Sequence, residues 1–317
     1  MLRVKRAQSG HREFRREELI DSGEQMDQVT VIGAGAMGRQ IALQCALRGF
    51  SVVLNDSRPA ALDDARAFCR EYLEGRIAKG KLNAAERDAA LGRLTTTTVL
   101  ADAAKNAAIV IEAIIEQFEP KAEVFRQLDA LCPADALLAT NSSNIRGSRL
   151  AEVTGRPGQV FNLHFFNPAL VMELVEVVVH PGVPESVTER AMEFCRRIGK
   201  TPVLMRNEIP GFIVNRIFRA LTREAVSLLE GGYASAEDID LAVVKGLGHP
   251  MGPLRLLDTT GIDVSYLARM DEYAETGVET AKPNDLLKQM YERGEWGKKS
   301  GKGFYNYAPK DPPGGGR

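Results

Sequence analysis

Residues 29–38, Val29-Thr30-Val31-Ile32-Gly33-Ala34-Gly35-Ala36-Met37-Gly38, decide the fold. The first four are apolar or β-branched and read as a short buried strand, and a glycine-rich turn follows at once. Residues 40–48 then carry a helical pattern, and residues 51–54 read as a second strand. In Gly33-x-Gly35-x-x-Gly38 the first glycine permits a tight turn and the second lets a pyrophosphate approach the backbone. The third lets helix and sheet pack closely. Ala34, Ala36 and Met37 fill the rest of that turn, and the helix opening there offers free N–H groups to phosphates.

Asp56, about 20 residues further on at the end of the second strand, completes a dinucleotide-binding fingerprint. Its carboxylate suits the adenosine ribose hydroxyls and repels a 2′-phosphate, which favours NAD over NADP. Arg58 argues the other way, since a nearby arginine accommodates that phosphate. Asp56 also suits a turn before Ser57-Arg58-Pro59; ribose contact is the preferred reading. FAD would use a similar fingerprint but fits the following text poorly.

Strands and helices keep alternating through 108–111 and 137–139, which predicts an α/β fold with a Rossmann-type, doubly wound parallel sheet. Residues 60–94 interrupt the alternation with two helices separated by Lys79-Gly80-Lys81, an inserted helical hairpin. Further strands are predicted at 160–165, 172–179 and 202–205, with a helix from 185 to 198. At Ile209-Pro210-Gly211 the character changes. Val214, Ile217, Phe218, Leu221, Ala225 and Leu228 form a helical stripe ended by Gly231-Gly232, and Ser235 caps the next helix with Asp238 three residues on. The expected division is a polar arm at 1–25, an NAD-binding Rossmann domain at 26–208, an all-helical C-terminal domain at 209–308 and a flexible Pro/Gly tail at 309–317.

Composition excludes several classes. With 317 residues, 44% hydrophobic, 26% charged and a formal net charge of -1, the chain has no basic excess to neutralise nucleic-acid phosphates. The four cysteines, Cys45, Cys69, Cys132 and Cys195, form no CxxC pair and read as core thiols of a reducing compartment, not as a disulfide or metal framework. The longest apolar runs, 107–115 and 174–179, are too short to cross a bilayer. In the arm, Glu13, Glu17, Glu18, Asp21 and Glu24 intervene among the arginines. That pattern excludes a secretory signal and argues against a transit peptide. A soluble, cytoplasmic protein is expected.

Of the four histidines, His11 lies in the arm, His180 in a Pro/Gly turn and His249 in a Gly/Pro loop. His164 stands at the end of an apolar strand, where such sheets bind ligands. Alone it would read as structural. Glu176 changes this, because it interrupts Leu174-Val175-Glu176-Val177-Val178-Val179, where an unpaired charge costs several kcal/mol. An imidazole is a fitting partner, and such a pair orients the ring and stabilises imidazolium.

The order and spacing of a set of strings now become specific. They are Ile111-Glu112-Ala113-Ile114-Ile115-Glu116, Asn141-Ser142-Ser143, His164-Phe165-Phe166-Asn167-Pro168 and Leu174-Val175-Glu176-Val177. Further on come Pro210-Gly211-Phe212-Ile213-Val214-Asn215-Arg216, Pro250-Met251-Gly252-Pro253 and Gly297-Lys298-Lys299-Ser300-Gly301-Lys302-Gly303-Phe304-Tyr305. Across 29–307 the chain resembles the L-3-hydroxyacyl-CoA dehydrogenase family. The resemblance implies NAD as cofactor, an (S)-3-hydroxyacyl-CoA as substrate and a homodimer formed through the second domain. It implies that His164 is the catalytic base and Glu176 its electrostatic partner, with Ser143 and Asn215 beside the reacting oxygens. Glu116, Lys121, Ser143, Asn167 and Lys299 would meet the nicotinamide half of the cofactor. The inserted hairpin would face coenzyme A, with Arg76, Lys79 and Lys81 as candidate phosphate partners; exposed lysines at a helix end are also commonly just solvated. The chain departs from the family at Asn144, where a small hydroxyl residue is frequent, and at Arg146. Both bear on the acyl chain accepted. Two other readings stand: a relative acting on a free hydroxy acid or sugar acid, and a non-catalytic protein that kept the fold. A decarboxylating dehydrogenase would share the glycine motif, but its lysine context is missing from this text.

Overall fold

The computed structural model describes residues 28–307; the arm and the tail expected at the two ends lie outside the described residues. The chain begins with β1 (Gln28–Ile32), α1 (Ala36–Leu47), β2 (Ser51–Asn55), α2 (Pro59–Ala78), α3 (Ala84–Arg93) and β3 (Leu94–Thr97). It continues through α4 (Leu100–Ala104), β4 (Ala107–Glu112), α5 (Phe118–Leu131), β5 (Leu137–Thr140) and α6 (Gly147–Ala151). Then come β6 (Val160–Phe165), β7 (Leu174–Val178), α7 (Glu185–Arg197) and β8 (Thr201–Met205). The strands form one eight-stranded sheet in the order β3-β2-β1-β4-β5-β6-β7-β8.

The order reverses direction between β1 and β4, which opens a crevice at the carboxyl edge of the strands. β1 and β4 are apolar nearly throughout because helices cover both faces. Ile41, Ala42 and Cys45 of α1 and Ala191, Phe194 and Cys195 of α7 fill one face. Ala122, Phe125 and Leu128 of α5 fill the other, with Leu150 of α6.

Two details differ from the expectation. Leu94-Thr95-Thr96-Thr97, the first of which was assigned to the helical hairpin, is an edge strand parallel to β2. Only one of its residues is apolar, so it carried no hydrophobic signal. The sheet is also not wholly parallel: β7 runs antiparallel to β6, and β8 runs parallel to β7. The connection at 166–173 is shorter than the dozen or more residues a parallel crossover needs, so the chain turns straight back as a hairpin. In that register His164 is the direct partner of Glu176, on the same face of the sheet.

The all-helical C-terminal domain comprises α8 (Val214–Glu230), α9 (Ala236–Leu247), α10 (Pro253–Thr260), α11 (Ile262–Thr276) and α12 (Asp285–Glu292). Ser235 Oγ accepts the Asp238 N–H at 3.1 Å, the cap expected for α9. Ala225, Val226, Ile239, Leu254 and Leu257 form the small core. Two buried carboxylates supply what so small a core lacks. Asp240 accepts the Leu254 and Arg255 N–H groups at the start of α10, at 2.8 and 3.0 Å. Asp258 accepts the N–H groups of Phe304 and Tyr305, at 2.9 and 3.0 Å, folding the last segment onto α10. The approach is close enough that a Cβ on Gly303 would lie 2.0 Å from Asp258 Oδ1. No helix among the described residues is long and apolar enough to cross a membrane.

Replacing Asp258 by alanine leaves both N–H groups without their acceptor, at about 1–3 kcal/mol each. Trp296, the single tryptophan, lies in the segment concerned. Its fluorescence transition should move to lower urea in Asp258→Ala, and an unmoved midpoint would refute the anchoring role.

Candidate active site

The glycine turn sits where β1 meets the crevice. Gly33 has φ +101, and a Cβ on it would lie 2.6 Å from the Ala113 carbonyl oxygen of the neighbouring loop. A Cβ on Gly38 would lie 1.8 Å from the Gly33 oxygen, so α1 can approach the turn only without one. Gly35 differs: a Cβ there meets nothing within 4 Å, so that side of the turn is open. No side chain caps α1 and no acid occupies its first turn, which leaves N–H groups and the positive dipole end for an anion. A pyrophosphate fits this cradle.

Asp56, expected to meet the ribose with a turn role as the alternative, ties the cradle to β2. Its Oδ2 accepts the Ala34 N–H at 2.9 Å and its Oδ1 accepts the Arg58 N–H at 3.0 Å. The Arg58 guanidinium lies 3.4 Å from Oδ1. Each carboxylate oxygen carries two acceptor sites, so these bonds leave one on Oδ2 for a ribose hydroxyl.

Across the crevice a second polar group organises the loop after β5. Glu112, 0% exposed at the end of β4, accepts from the Ile114 N–H (2.7 Å), Lys121 Nζ (2.6 Å) and Thr140 Oγ (2.7 Å). Lys121 is 1% exposed and also lies 3.3 Å from Glu116 Oε2. Glu116 Oε1 in turn accepts from Ser142 Oγ at 2.5 Å and from the N–H groups of Ser143 and Asn144 at 3.2 and 3.1 Å. Glu116, Lys121 and Ser143 are thus one connected unit. Lys121 spends its protons inside the protein, on Glu112, Glu116 and the Ile114 carbonyl. Sequence reasoning gave no role to Glu112, Thr140 or Ser142. Glu112 carried a signal like that of Glu176, a glutamate in an apolar strand, here at its last position.

His164 is 5% exposed, and its Nδ1 lies 2.7 Å from Glu176 Oε2. A carboxylate only accepts, which assigns the proton to Nδ1 and leaves a lone pair on Nε2. The ring packs against Phe166 and Phe212, at centroid distances of 4.6 and 5.5 Å. Glu176 is 0% exposed, and its other oxygen accepts the N–H groups of Ile213 (3.0 Å) and Val214 (2.8 Å) at the start of α8. Asn215 is the next residue, in the first turn of α8, so the same contact sets its position. Phe212 takes φ +47, a left-handed conformation costly for a bulky residue, just before that turn.

The remaining candidates are more scattered. Asn167 Oδ1 accepts from Gln40 of α1 at 3.4 Å, beside the glycine turn. Lys299 lies in the C-terminal domain, with Nζ 2.6 Å from Asp263 Oδ2, and no contact among the described residues joins it to His164. Arg76 lies in the last turn of α2, and Lys79 and Lys81 are exposed in the hairpin turn. Asn144 reaches α8 and Arg146 reaches α11. Arg219 donates to Asn144 Oδ1 at 3.4 Å, and Arg146 pairs with Glu275.

Two family models match the chain. "3-Hydroxyacyl-CoA dehydrogenase, NAD binding domain" covers residues 28–209, and "3-hydroxyacyl-CoA dehydrogenase, C-terminal domain" covers 211–307. A 3-hydroxybutyryl-CoA dehydrogenase of Mycobacterium tuberculosis is 39% identical over 283 residues, covering 89% of this chain and 99% of that protein. The human mitochondrial hydroxyacyl-coenzyme A dehydrogenase is 37% identical over 287 residues, covering 88% of this chain and 90% of that protein. Among solved structures, the (S)-3-hydroxybutyryl-CoA dehydrogenase of Ralstonia eutropha superposes with a TM-score of 0.85 at 35% identity, over 90% of this chain and 100% of that one. With its NAD-binding and C-terminal domains both matched, the chain belongs to the 3-hydroxyacyl-CoA dehydrogenase family.

Proposed function

We propose that this protein oxidises the 3-hydroxyl of an (S)-3-hydroxyacyl-CoA to the 3-oxoacyl-CoA with NAD, and catalyses the reverse. The observation that carries the reading is His164, buried, with Nδ1 held by Glu176 and Nε2 left as a base. Gly33, Ala34, Gly35, Ala36, Met37 and Gly38 cradle the pyrophosphate, and Asp56 takes the adenosine ribose. Glu116, Ser143, Asn167 and Lys299 serve the nicotinamide half, with Lys121 fixing Glu116. When bound, NAD supplies the hydride acceptor. His164 Nε2 takes the hydroxyl proton as the C3–H electron pair departs with its hydrogen, leaving a C3 carbonyl. Glu176 stabilises the imidazolium so formed, a kind of assistance typically worth ~10²–10⁴ in rate. Ser143 and Asn215 hold the substrate oxygen in line.

Residues 26–208 form the cofactor domain and 209–308 the substrate and dimerisation domain. Exposed Ile217, Leu241, Leu247 and Val264, on α8, α9 and α11, support a homodimer through the helical half. Four buried free cysteines suit the cytoplasm. Burial pushes the Cys195 thiol up to about 12, which keeps it unreactive at neutral pH.

The first test follows NADH with (S)-3-hydroxybutyryl-CoA, running NADP and free 3-hydroxybutyrate beside it. Turnover with the thioester and NAD is expected; activity on the free acid alone would discard the acyl-CoA substrate. In His164→Gln, kcat should fall ~10²–10⁴-fold with little change in NAD affinity; retained turnover removes the base role. Glu176→Gln should lose activity on the same scale and also lose stability, since one amide oxygen cannot serve both the imidazole and the N–H groups of α8. Asp56→Ser should narrow the preference for NAD over NADP about tenfold, the ~1.4 kcal/mol scale of one screened repulsion. An unchanged ratio would place cofactor choice elsewhere. Light scattering should give twice the chain mass, and a monomer would refute the dimer.

A further inference from the structure

Each wall of the crevice holds a carboxylate that no cation balances. On the first, Glu112 and Lys121 are buried together, and Glu116 joins them through Lys121 Nζ. Every partner of the four carboxylate oxygens is a donor. Glu112 meets the Ile114 N–H, Lys121 and Thr140 Oγ; Glu116 meets Lys121, Ser142 Oγ and the Ser143 and Asn144 N–H groups. Thr140 Oγ and Ser142 Oγ already accept backbone N–H groups, which directs their own protons to the carboxylates. The unit therefore carries two negative charges against one positive. Among the described residues Lys121 is the sole cation paired with either glutamate. On the second wall Glu176 meets a neutral imidazole and two N–H groups, so it too is unbalanced. Lys299 adds no net charge, because Asp263 holds its Nζ.

The pyrophosphate cradle at β1 divides the crevice. With Asp56, after β2, on the adenosine side, the nicotinamide half falls over β4 and β5, whose last residues are Glu112 and Thr140. Glu116 is the open face of the unit, its side chain 38% exposed against 1% for Lys121. Three donors fix its Oε1, so the charge is held in place and not swung into water. β6, which carries His164, lies two strands from β4, about 10 Å across the sheet. The proposed reaction moves charge over that gap. The C3–H bond breaks and its electron pair, leaving with the hydrogen, neutralises the cationic nicotinamide ring. The hydroxyl proton passes to His164 Nε2, and a C3 carbonyl remains. One positive charge is lost beside the first wall and one appears beside the second.

We infer that the Glu112–Lys121–Glu116 unit discriminates between the two oxidation states of the cofactor, favouring cationic NAD⁺ over neutral NADH. This rests on the dehydrogenase reading above and adds to it what decides which form of the cofactor is held. Glu176 pulls the opposite way, since it favours the imidazolium that accompanies NADH. The two carboxylates oppose each other across the crevice, which keeps bound reactants and products close in free energy. That balance suits an enzyme that runs in both directions.

The test measures equilibrium binding of NAD⁺ and NADH to the full chain without substrate, by titration calorimetry. The ratio Kd(NADH)/Kd(NAD⁺) cancels every contact that the two forms share. Glu116→Gln should lower that ratio about tenfold, which for a two-electron couple is ~30 mV in the potential of the bound cofactor. Glu116→Asp, which keeps the charge, should hold the ratio near the wild-type value even where both affinities fall. Asp56→Ser, on the adenosine side, should weaken both forms alike and leave the ratio unmoved. Glu112→Gln should lower the ratio as Glu116→Gln does; Glu116, at the open face, keeps the test available if the buried variant fails to fold by circular dichroism. An unmoved ratio in folded Glu116→Gln overturns the inference, even if both affinities drop, because a purely structural role weakens the two forms equally. A ratio that falls as far in Asp56→Ser overturns it too. Either result leaves the dehydrogenase reading standing, whereas a folded wild type that binds neither form removes both.

Discussion

The carboxylate of Glu176 lies fully buried within β7, where water cannot solvate it, and the surrounding protein must supply every hydrogen bond it accepts. Three donors from two other segments meet it: His164 Nδ1 on β6, and the Ile213 and Val214 N–H groups where α8 begins. The helix N-terminus also lends its partial positive charge. One side chain therefore orients the imidazole and docks the helical domain on the sheet. Asn215 follows at the next position, and Arg219 one turn later, so the placement of both depends on that same carboxylate. The backbone at Phe212 takes its left-handed turn to bring those N–H groups into reach, with its ring against His164.

A parallel arrangement holds the other wall of the crevice. Glu112 closes β4 as a buried charge, Lys121 answers it, and Glu116 carries the connection to the Ser142–Ser143–Asn144 backbone. Buried ion pairs of this kind add little net stability compared with apolar packing, but breaking one leaves an uncompensated charge. What they contribute is a defined position for loops that apolar contacts alone would leave adjustable. On both walls a strand carries a buried charge, which at Glu112 sets the loop beyond the strand and at Glu176 sets the start of α8.

The contacts of Asn144 and Arg146 run between these walls. One reaches Arg219 and the other Glu275, so the serine loop of the sheet domain is joined to α8 and α11. These are the two residues that the sequence reading set apart, and each makes its contact with a helix of the C-terminal domain.

Much of this was legible in the residues. The strand, glycine turn, helix and acidic residue at 29–56 specify a dinucleotide crevice because each glycine answers a steric demand made within a few residues of itself. Glu176 announced a buried partner because a charge in an apolar strand has no other explanation. The edge strand at Leu94–Thr97 was not legible, since exposed threonines carry no periodic signal. The reversal at β7 was readable only as a short connection. The meeting of His164 with Glu176 and the docking of α8 on that carboxylate were decided by the tertiary structure alone. Hydrophobic period and turn chemistry are local properties of the chain, whereas ion pairs between segments dozens of residues apart depend on strand direction and helix placement, which no local pattern encodes.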